Sequence, residues 1–390
     1  MVSAKIRTFA RKALQLHIMR IGFDAKRAFA NKTGLGNYSR FVLDALAVHE
    51  PAHEYLAYTP KNNRNLFDGF PTGSIQYPKG FIDRKLSAYW RYARITRQLQ
   101  EDDVDIYHGL SNEIPQGLRK AGIRSIVTIH DLIFERLPHL FKPVDRAIYR
   151  HKFKSACKRA DSVVAVSDQT RRDLIELYGV EDSKIKVIYQ DSNPVFQKQL
   201  TAEERSRICT EYGIEGPFVL CVGTLEERKN QHRLVEGFAQ LKNHDFKLVL
   251  VGKPTGYLQK IRETIDRLKL GDRVLLLHNV STPHLPALYQ AADVFAYISI
   301  YEGFGIPIVE ALHSGTPVLA AKGSCLEEAG GPGGLYADPY QAENISEQLQ
   351  KLVTDVHLRN SLSEAGLLHV KQFAGEHIAG QLVQLYGSLC

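Results

Sequence analysis

The sequence predicts an α/β protein of two Rossmann-like, doubly wound domains facing a central cleft, on three observations. The first is size and composition. A chain of 390 residues, 44% hydrophobic and 24% charged, has ordinary globular composition and is long enough for two separate cores. The second is rhythm, because short β-rich runs at 19–24, 105–108, 125–129 and 162–166 alternate with longer helical patterns. That alternation means parallel strands joined by crossover helices. The third is that the rhythm restarts after a polar, proline-containing stretch near 190–216, with runs at 218–222, 247–251, 274–277, 294–297 and 317–320. The expected organisation is a basic extension over 1–18, a first domain over 19–200 and a second over 201–390, with the final helix as a candidate to pack back on the first domain.

Composition narrows the function classes. No stretch approaches the roughly 18 consecutive apolar residues of a membrane span, and no secretory signal is visible. A soluble or peripheral, cytoplasmic protein is expected. The five cysteines, Cys157, Cys209, Cys221, Cys325 and Cys390, are scattered and form no Cys-x-x-Cys pair, which argues against a disulfide framework or a zinc site. Residues 1–200 hold 33 Lys and Arg against 21 Asp and Glu, and residues 201–390 hold 17 against 22, giving +12 and −5. So polar a distribution of charge points to an anionic partner for the first half: a membrane surface, a phosphorylated acceptor or a nucleic acid. Solvated basic faces explain it equally well.

In open parallel sheets ligands bind beyond the carboxyl ends of the strands, so residues just after each strand are the candidates. The strongest signal is Ser299-Ile-Tyr-Glu302-Gly303-Phe304-Gly305-Ile-Pro307-Ile-Val-Glu310, continuing to Gly315-Thr-Pro317. It reads as a glycine-rich loop opening a helix. Glycines let backbone approach a ligand closely, and N–H groups at a helix start favour an anion such as a diphosphate. On a continuous helix Glu310 would sit about 80° past two full turns from Glu302, so that one carboxylate reaches a sugar and the other a ribose.

These residues resemble the retaining glycosyltransferases of glycosyltransferase family 4, whose architecture of two Rossmann-like domains is called GT-B, and the resemblance spans roughly 19–390. It implies an acceptor-side first domain and a second that binds a nucleotide-diphosphate sugar. It also implies that Glu302 contacts the donor sugar and Glu310 the ribose hydroxyls. A second match is Val222-Gly-Thr224-Leu-Glu-Glu-Arg228-Lys229-Asn230, where the family sets basic side chains on the donor pyrophosphate. Lys229 fits as a point charge for the leaving group. Many members have Arg directly after the glycine, where this chain has Thr224, and Arg228 is the candidate replacement. The resemblance further places a histidine at His130, in Ile129-His130-Asp131, on the donor sugar or acceptor, and backbone contacts to the base near His278-Asn279-Val280.

Other signals are weaker. Gly34-Leu-Gly36 reads as a flexible loop that closes on the phosphates, although it lacks the third glycine of a dinucleotide fingerprint. Asp24 ends the first strand as a further polar candidate. Asp103-Val-Asp105 looks like a metal-binding Asp-x-Asp, but it precedes its strand and so falls on the wrong edge. No metal and no cofactor beyond the donor are expected. The segment 85–97, with Trp90 among Arg91, Arg94 and Arg97, reads either as a membrane-surface face or as a helix with Tyr89 and Ile95 in the core and solvated arginines.

The expectation is therefore a retaining glycosyltransferase with His130 and Glu302 in catalytic positions. Gly34, Gly36, Arg228, Lys229, Asn279, Val280, Gly303, Phe304, Gly305 and Glu310 bind the donor. GDP-mannose is favoured over a UDP-sugar as donor. The acceptor is a saccharide, lipid-linked or from a polysaccharide pathway, an anionic membrane surface is a candidate partner, and no nucleic acid is expected. The rival readings are a nicotinamide-dependent oxidoreductase, since fold alone does not assign function, and a non-catalytic nucleotide-sugar-binding protein.

Overall fold

The computed structural model describes residues 18–61 and 66–390, so the expected extension over 1–18 lies, except for its last residue, outside the described residues. The chain divides into two compact units. One holds the described residues up to Val166, Thr170–Gln190 and Gly375–Cys390, and the other holds Ser167–Gln169 and Asp191–Ala374. The division falls at Gln190/Asp191 rather than at 200/201. The stretch between is fastened to the second unit by buried Phe196, edge-on to Tyr289 at 5.4 Å, and by the Leu200 N–H, which donates to Gln290 at 3.0 Å.

The first unit is built on a seven-stranded sheet ordered β3-β2-β1-β4-β5-β6-β7. Its strands are β1 (Arg20–Asp24), β2 (Glu54–Tyr58), β3 (Ile75–Gln76), β4 (Ile106–Gly109), β5 (Arg124–Ile129), β6 (Ser162–Ala165) and β7 (Ile185–Val187). The second unit has six strands ordered β10-β9-β8-β11-β12-β13: β8 (Phe218–Val222), β9 (Lys247–Val251), β10 (Val274–Leu277), β11 (Val294–Tyr297), β12 (Val318–Ala321) and β13 (Gly334–Ala337). Neighbouring strands pair in parallel, as in β1 with β4 and β8 with β11. Covered on both faces, they read as short apolar runs, and β4, β6, β11 and β12 are buried at every position.

The order of each sheet reverses once, between β1 and β4 in the first unit and between β8 and β11 in the second. A doubly wound sheet opens a crevice at such a switch point, outside the carboxyl ends of the two strands. Register aligns Phe295 with Leu220, so β8 and β11 finish level. Their exits carry Gly223 and the loop to Glu302.

The last helix, Gly375–Gly387, belongs to the first unit. Its Tyr386 hydroxyl is 2.8 Å from His108 Nδ1, and His108 Nε2 is 2.8 Å from the Thr128 hydroxyl. The Tyr38 hydroxyl reaches the same Thr128 at 3.0 Å. Burial, with His130 nearby, pushes the His108 pKa down to about 3, so this interior polar chain stays uncharged.

The segment 85–97 is not one continuous α-helix. Helical turns at Phe81–Lys85 and Ser87–Tyr89 run into a π-helical turn at Trp90–Arg94 before Ile95–Glu101. The π-turn rotates Trp90 and Ile95 into the core, each 1% exposed, and leaves Tyr89 outside. Arg91 is turned inward onto Asp24, while Arg94 pairs with Asp83 at 2.6 Å and Arg97 with Glu101 at 3.0 Å. No helix among the described residues is long and apolar enough to cross a membrane.

Candidate active site

In the second unit the site starts from the exits of β8 and β9. Gly252 has no room for a side chain, since a Cβ would fall 1.8 Å from the Gly223 carbonyl oxygen. Gly223 itself has φ +150°, which a side chain rarely adopts. A 3₁₀ turn, Glu227–Lys229, ends at Asn230 in the left-handed region with φ +59°. Asn230 is held there by its amide, which donates to the Pro339 carbonyl at 2.7 Å. This turn aims Arg228 and Lys229 at the loop after β11. The Ile300 N–H donates to the Arg228 carbonyl at 2.9 Å, and the Arg228 guanidinium to the Tyr301 carbonyl at 2.6 Å.

Glu302 is the focus of that loop. Its Oε1 lies 2.5 Å from Lys229 Nζ and its Oε2 2.5 Å from Arg228 Nη1. The Ser299 hydroxyl at 2.7 Å and the Tyr297 hydroxyl at 3.0 Å complete the surround of Oε1. All three charged side chains are 11–14% exposed. Burial alone would raise the Glu302 pKa, but Lys229 and Arg228 outweigh it and hold the carboxyl at about 2. Arg228 also pairs with a second carboxylate, Glu226, at 2.7 Å, so the cluster is balanced at two cations against two carboxylates. In a low-dielectric corner its two cations can meet an anion once a carboxylate gives way.

Gly303, Phe304 and Gly305 lead into the helix Ile306–His313. Gly305 has φ +132°, and a Cβ there would meet Leu326 at 3.0 Å and Ala329 at 3.2 Å. Phe304 is 3% exposed and edge-on to Phe373 at 5.2 Å, so only its backbone faces outward chemistry. Two sequence expectations need correction here. Because the helix begins at Ile306, Glu302 is not helical, and the two-turn relation to Glu310 does not apply. The helix start also offers fewer donors than expected: the Ile308 and Val309 N–H groups both go to the Gly305 carbonyl, and Pro307 has none. The cations of this loop cluster are the Arg228 and Lys229 side chains.

Glu310 projects from the helix, partly exposed. Its Oε2 accepts from the buried Tyr289 hydroxyl at 2.7 Å, and no cation pairs with it among the described residues. Burial lifts its pKa to about 7, and the Tyr289 hydrogen bond offsets only part of that. The two glutamates thus carry opposite shifts in one unit. Asn279 and Val280 follow β10, at the sheet edge, with Asn279 exposed. His278 Nδ1, 3.2 Å from the Gly252 carbonyl, ties this loop to the β9 exit. Three strand spacings separate β10 from β11, roughly 14 Å.

In the first unit His130 follows β5 and is 7% exposed. Its N–H donates to Asn112 Oδ1 at 2.9 Å, with Asn112 itself in the left-handed region at φ +62°. Ring Nε2 is 2.8 Å from the Leu110 carbonyl. A carbonyl only accepts, so Nε2 carries the proton and Nδ1 presents a lone pair. Burial pushes the ring's pKa down to about 4, with the Leu110 hydrogen bond acting against it. Neutral His130 is therefore a hydrogen-bond acceptor at Nδ1 and not a reservoir of positive charge. Tyr38 stands edge-on to it at 4.6 Å.

The Gly34–Gly36 segment is not the flexible loop expected. Both glycines lie in the first turn of the helix Gly34–His49, and a Cβ on Gly36 would fall 1.9 Å from the Asn31 carbonyl oxygen. Gly36 is thus a packing requirement, whereas Gly34 meets nothing within 4 Å. Asp24, 3% exposed, is engaged by Arg91 through both carboxylate oxygens. Asp103 and Asp105 lie at the amino end of β4, where Asp105 accepts the Arg20 N–H at 2.7 Å. They serve the turn into the strand, and no group of three or more His, Cys, Asp or Glu among the described residues is placed to hold a metal ion.

The residues not singled out from the sequence are the supports: Tyr297, Ser299, Tyr289 and Gly252 in the second unit, and Tyr38, His108, Asn112, Thr128 and Tyr386 in the first. Ser299 and Tyr297 were legible as strand-end positions. Tyr386 lies 278 residues from the histidine it contacts, and nothing local marks it.

The carboxylate clamped by two cations lies at the switch point of a doubly wound sheet, with glycine-lined backbone beside it. The chain belongs to the glycosyltransferases: residues 34–190 match Glycosyltransferase Family 4 and residues 209–369 match Glycosyl transferases group 1. Among its relatives, O-antigen chain mannosyltransferase B of Escherichia coli is 29% identical over 91% of this chain and 96% of its own length. O-antigen chain mannosyltransferase RfbU of Salmonella typhimurium is 29% identical over 65% of this chain and 69% of its own. Similar in fold is Anabaena HepE, solved with UDP and glucose, with a TM-score of 0.75 at 20% identity over 95% of this chain and all of that one. The two-domain GT-B architecture expected from the sequence is the one observed.

Proposed function

We propose that the protein is a retaining mannosyltransferase that moves mannose from GDP-mannose to a lipid-linked polysaccharide precursor, working at the inner face of the cytoplasmic membrane. The observation that carries it is the Arg228–Glu302–Lys229 cluster. Arg228 and Lys229 neutralise the donor diphosphate and stabilise it as it departs, which is where charge develops during transfer. Glu302, once the diphosphate takes over the cations, turns to a hydroxyl of the donor sugar. Gly303, Phe304 and Gly305 approach through backbone. Glu310, with no cation on its carboxylate, accepts from the ribose hydroxyls, and the Asn279–Val280 backbone lies against the base. Neutral His130 accepts a sugar hydroxyl at Nδ1.

The acceptor hydroxyl attacks the anomeric carbon from the leaving-group face. The new carbon–oxygen bond forms as the bond to the diphosphate breaks, and the acceptor's proton leaves with the diphosphate. No metal takes part in this reading. The lean to mannose rests on the two O-antigen mannosyltransferases that the chain resembles. Incubation with GDP-mannose, UDP-glucose and UDP-galactose against a lipid-linked saccharide, with NMR of the product, tests it. An α-mannoside from GDP-mannose is expected. Turnover of a UDP-sugar alone, or a β-linked product, overturns the donor or the retaining assignment respectively.

A further inference from the structure

The first unit has a switch point of its own, between β1 and β4, and its carboxyl edge carries charges that the proposed reaction leaves unused. β1 ends on Asp24, 3% exposed, which Arg91 engages through both carboxylate oxygens. The chain then turns at once. The Ala25 N–H donates to the Tyr58 carbonyl at 2.9 Å and the Lys26 N–H to Asp24 Oδ1 at 3.2 Å. Lys26 and Arg27 open the short helix Lys26–Ala30, and both are half-buried. The carboxylates that act on Lys26, Asp24 and Glu113, are taken by Arg91 and Lys152. Neither Lys26 nor Arg27 has a carboxylate within ion-pair distance among the described residues.

These cations crowd one another. Burial lowers the Lys26 pKa, and Arg91 and Arg27 lower it further. Arg27 also acts on the ring of His130, so its charge stands near the β5 exit as well as the β1 exit. Tyr107 of β4, 2% exposed, feels Asp24, Arg91 and Glu113, which sets its hydroxyl beside the ion pair. Burial keeps that hydroxyl protonated. The turn that presents Lys26 and Arg27 is fastened from behind, because Arg40 donates to the Ala28 and Asn31 carbonyls at 2.8 Å and 2.9 Å. Lys26, Arg27, Arg91 and Lys152 thus face only Asp24 and Glu113, four cations against two carboxylates. Half-buried like charges repel, and a bound anion relieves them.

We propose that this edge of the first sheet, at the ends of β1 and β4, is a subsite for a phosphate group carried by the saccharide acceptor, with Lys26 and Arg27 as its ligands. Arg27 offers a planar fork to two phosphate oxygens and Lys26 a point charge. Arg91, fixed by Asp24, adds positive potential behind them. The donor diphosphate does not call for these side chains, since Arg228 and Lys229 of the second unit are assigned to it above. A neutral sugar does not call for them either, because a hydroxyl is met by an uncharged group such as His130. A phosphate on the acceptor accounts for unpaired, half-buried cations close to that histidine. The subsite rests on the reading of the protein as a glycosyltransferase and gives its acceptor a chemical class, whichever sugar is moved.

Calorimetric titration of N-acetylglucosamine 1-phosphate into the full chain tests it, with methyl N-acetylglucosaminide as the uncharged arm and inorganic phosphate as the arm without sugar. The chain is first saturated with GDP or UDP, whichever it binds, so that the anion site of the second unit is filled. The sugar phosphate is expected to bind more tightly than inorganic phosphate and much more tightly than the methyl glycoside, and to weaken as salt rises. Lys26→Gln and Arg27→Gln should each weaken it about tenfold. Both variants should keep the parent's nucleotide affinity and unfolding temperature, because neither side chain has an ion-pair partner to lose. Arg91 is left intact, since its removal would strand a buried Asp24. A sugar phosphate that fails to bind the saturated parent overturns the proposal, and so does one that binds both variants as it binds the parent. Inorganic phosphate bound as tightly as the sugar phosphate would overturn the assignment to the acceptor. Variants that lose nucleotide affinity instead would give these cations to the donor. A chain that transfers sugar yet fails this titration separates the loss of the subsite from the loss of the glycosyltransferase reading.

Discussion

The two units place polar groups at the carboxyl edge of a parallel sheet with different electrostatic emphasis. In the second unit the polar group is an ion cluster, with Glu302 held near a pKa of 2 by Lys229 and Arg228. In the first a buried ion pair, Arg91 on Asp24, stands apart from an uncharged set of hydroxyls and imidazoles, with His108 and His130 pushed down to about 3 and about 4 by burial. The difference teaches a division of labour. A diphosphate needs counter-charge, whereas a neutral sugar hydroxyl needs only an acceptor of fixed direction.

Disrupting the ion cluster should give the largest effect. Lys229→Ala is expected to lower kcat/KM by about 10²–10³, measured by steady-state transfer from the preferred donor. A loss below tenfold would mean that the second unit does not depend on its charge. Glu302→Ala leaves Lys229 without its carboxylate and Arg228 with Glu226 alone, and should cost about 3–5 kcal/mol of stability, with much of it restored by a nucleoside diphosphate in thermal denaturation. Absence of that rescue would separate the carboxylate from the anion site.

Glu310 sharpens the comparison within the second unit. Glu310→Ala should weaken donor binding by about 1.5–3 kcal/mol in calorimetry, with less effect on turnover of the saturated enzyme. Its pH behaviour is opposite to that of Glu302. A carboxyl raised from its ordinary value to about 7 contributes stability that is present below pH 4.5 and is lost as pH rises through 7. A carboxyl lowered to about 2 contributes stability present above pH 4.5 and lost as pH falls toward 2. Unfolding temperature against pH should therefore lose part of its decline between pH 5 and 7.5 in Glu310→Gln, and a variant with the parent's profile would contradict the assignment.

In the first unit the effects should be smaller and structural. Tyr386→Phe removes one hydrogen bond to His108 and should cost about 1–3 kcal/mol, read by denaturant unfolding, with donor affinity unchanged. If donor affinity fell instead, the two units would not divide their tasks as described. The smallest expected effect is that of excess chelator, which should leave transfer unchanged, and activity lost and restored by a divalent ion would contradict the metal-free reading.

Much of the fold was legible because buried parallel strands write themselves as short apolar runs. The runs near β1, β4, β5, β6, β8, β9, β10, β11 and β12 were visible for that reason. The strands β2, β3, β7 and β13 were not: β3 is two residues long, β7 is Ile-Lys-Val, β13 opens on a glycine, and β2 begins on exposed Glu54. The site was legible where one short segment carries its groups, as Glu302 through Glu310 does. It was misread where local pattern met tertiary packing. Gly36 looks like a phosphate loop but makes room for the Asn31 carbonyl, and the arginine spacing at 91–97 looks like an open face because sequence shows neither the π-turn nor Asp24 beneath it. The His108–Tyr386 bond was invisible for a different reason, since it joins residues at opposite ends of the chain.

The most direct test of the charged second unit is calorimetric titration of GDP into the parent and into the Arg228→Ala and Lys229→Ala variants at two salt concentrations. The account predicts that each substitution weakens binding at least tenfold and flattens its salt dependence, because each removes one of the cations that meet the diphosphate. GDP bound by both variants with the parent's affinity and salt dependence would contradict it.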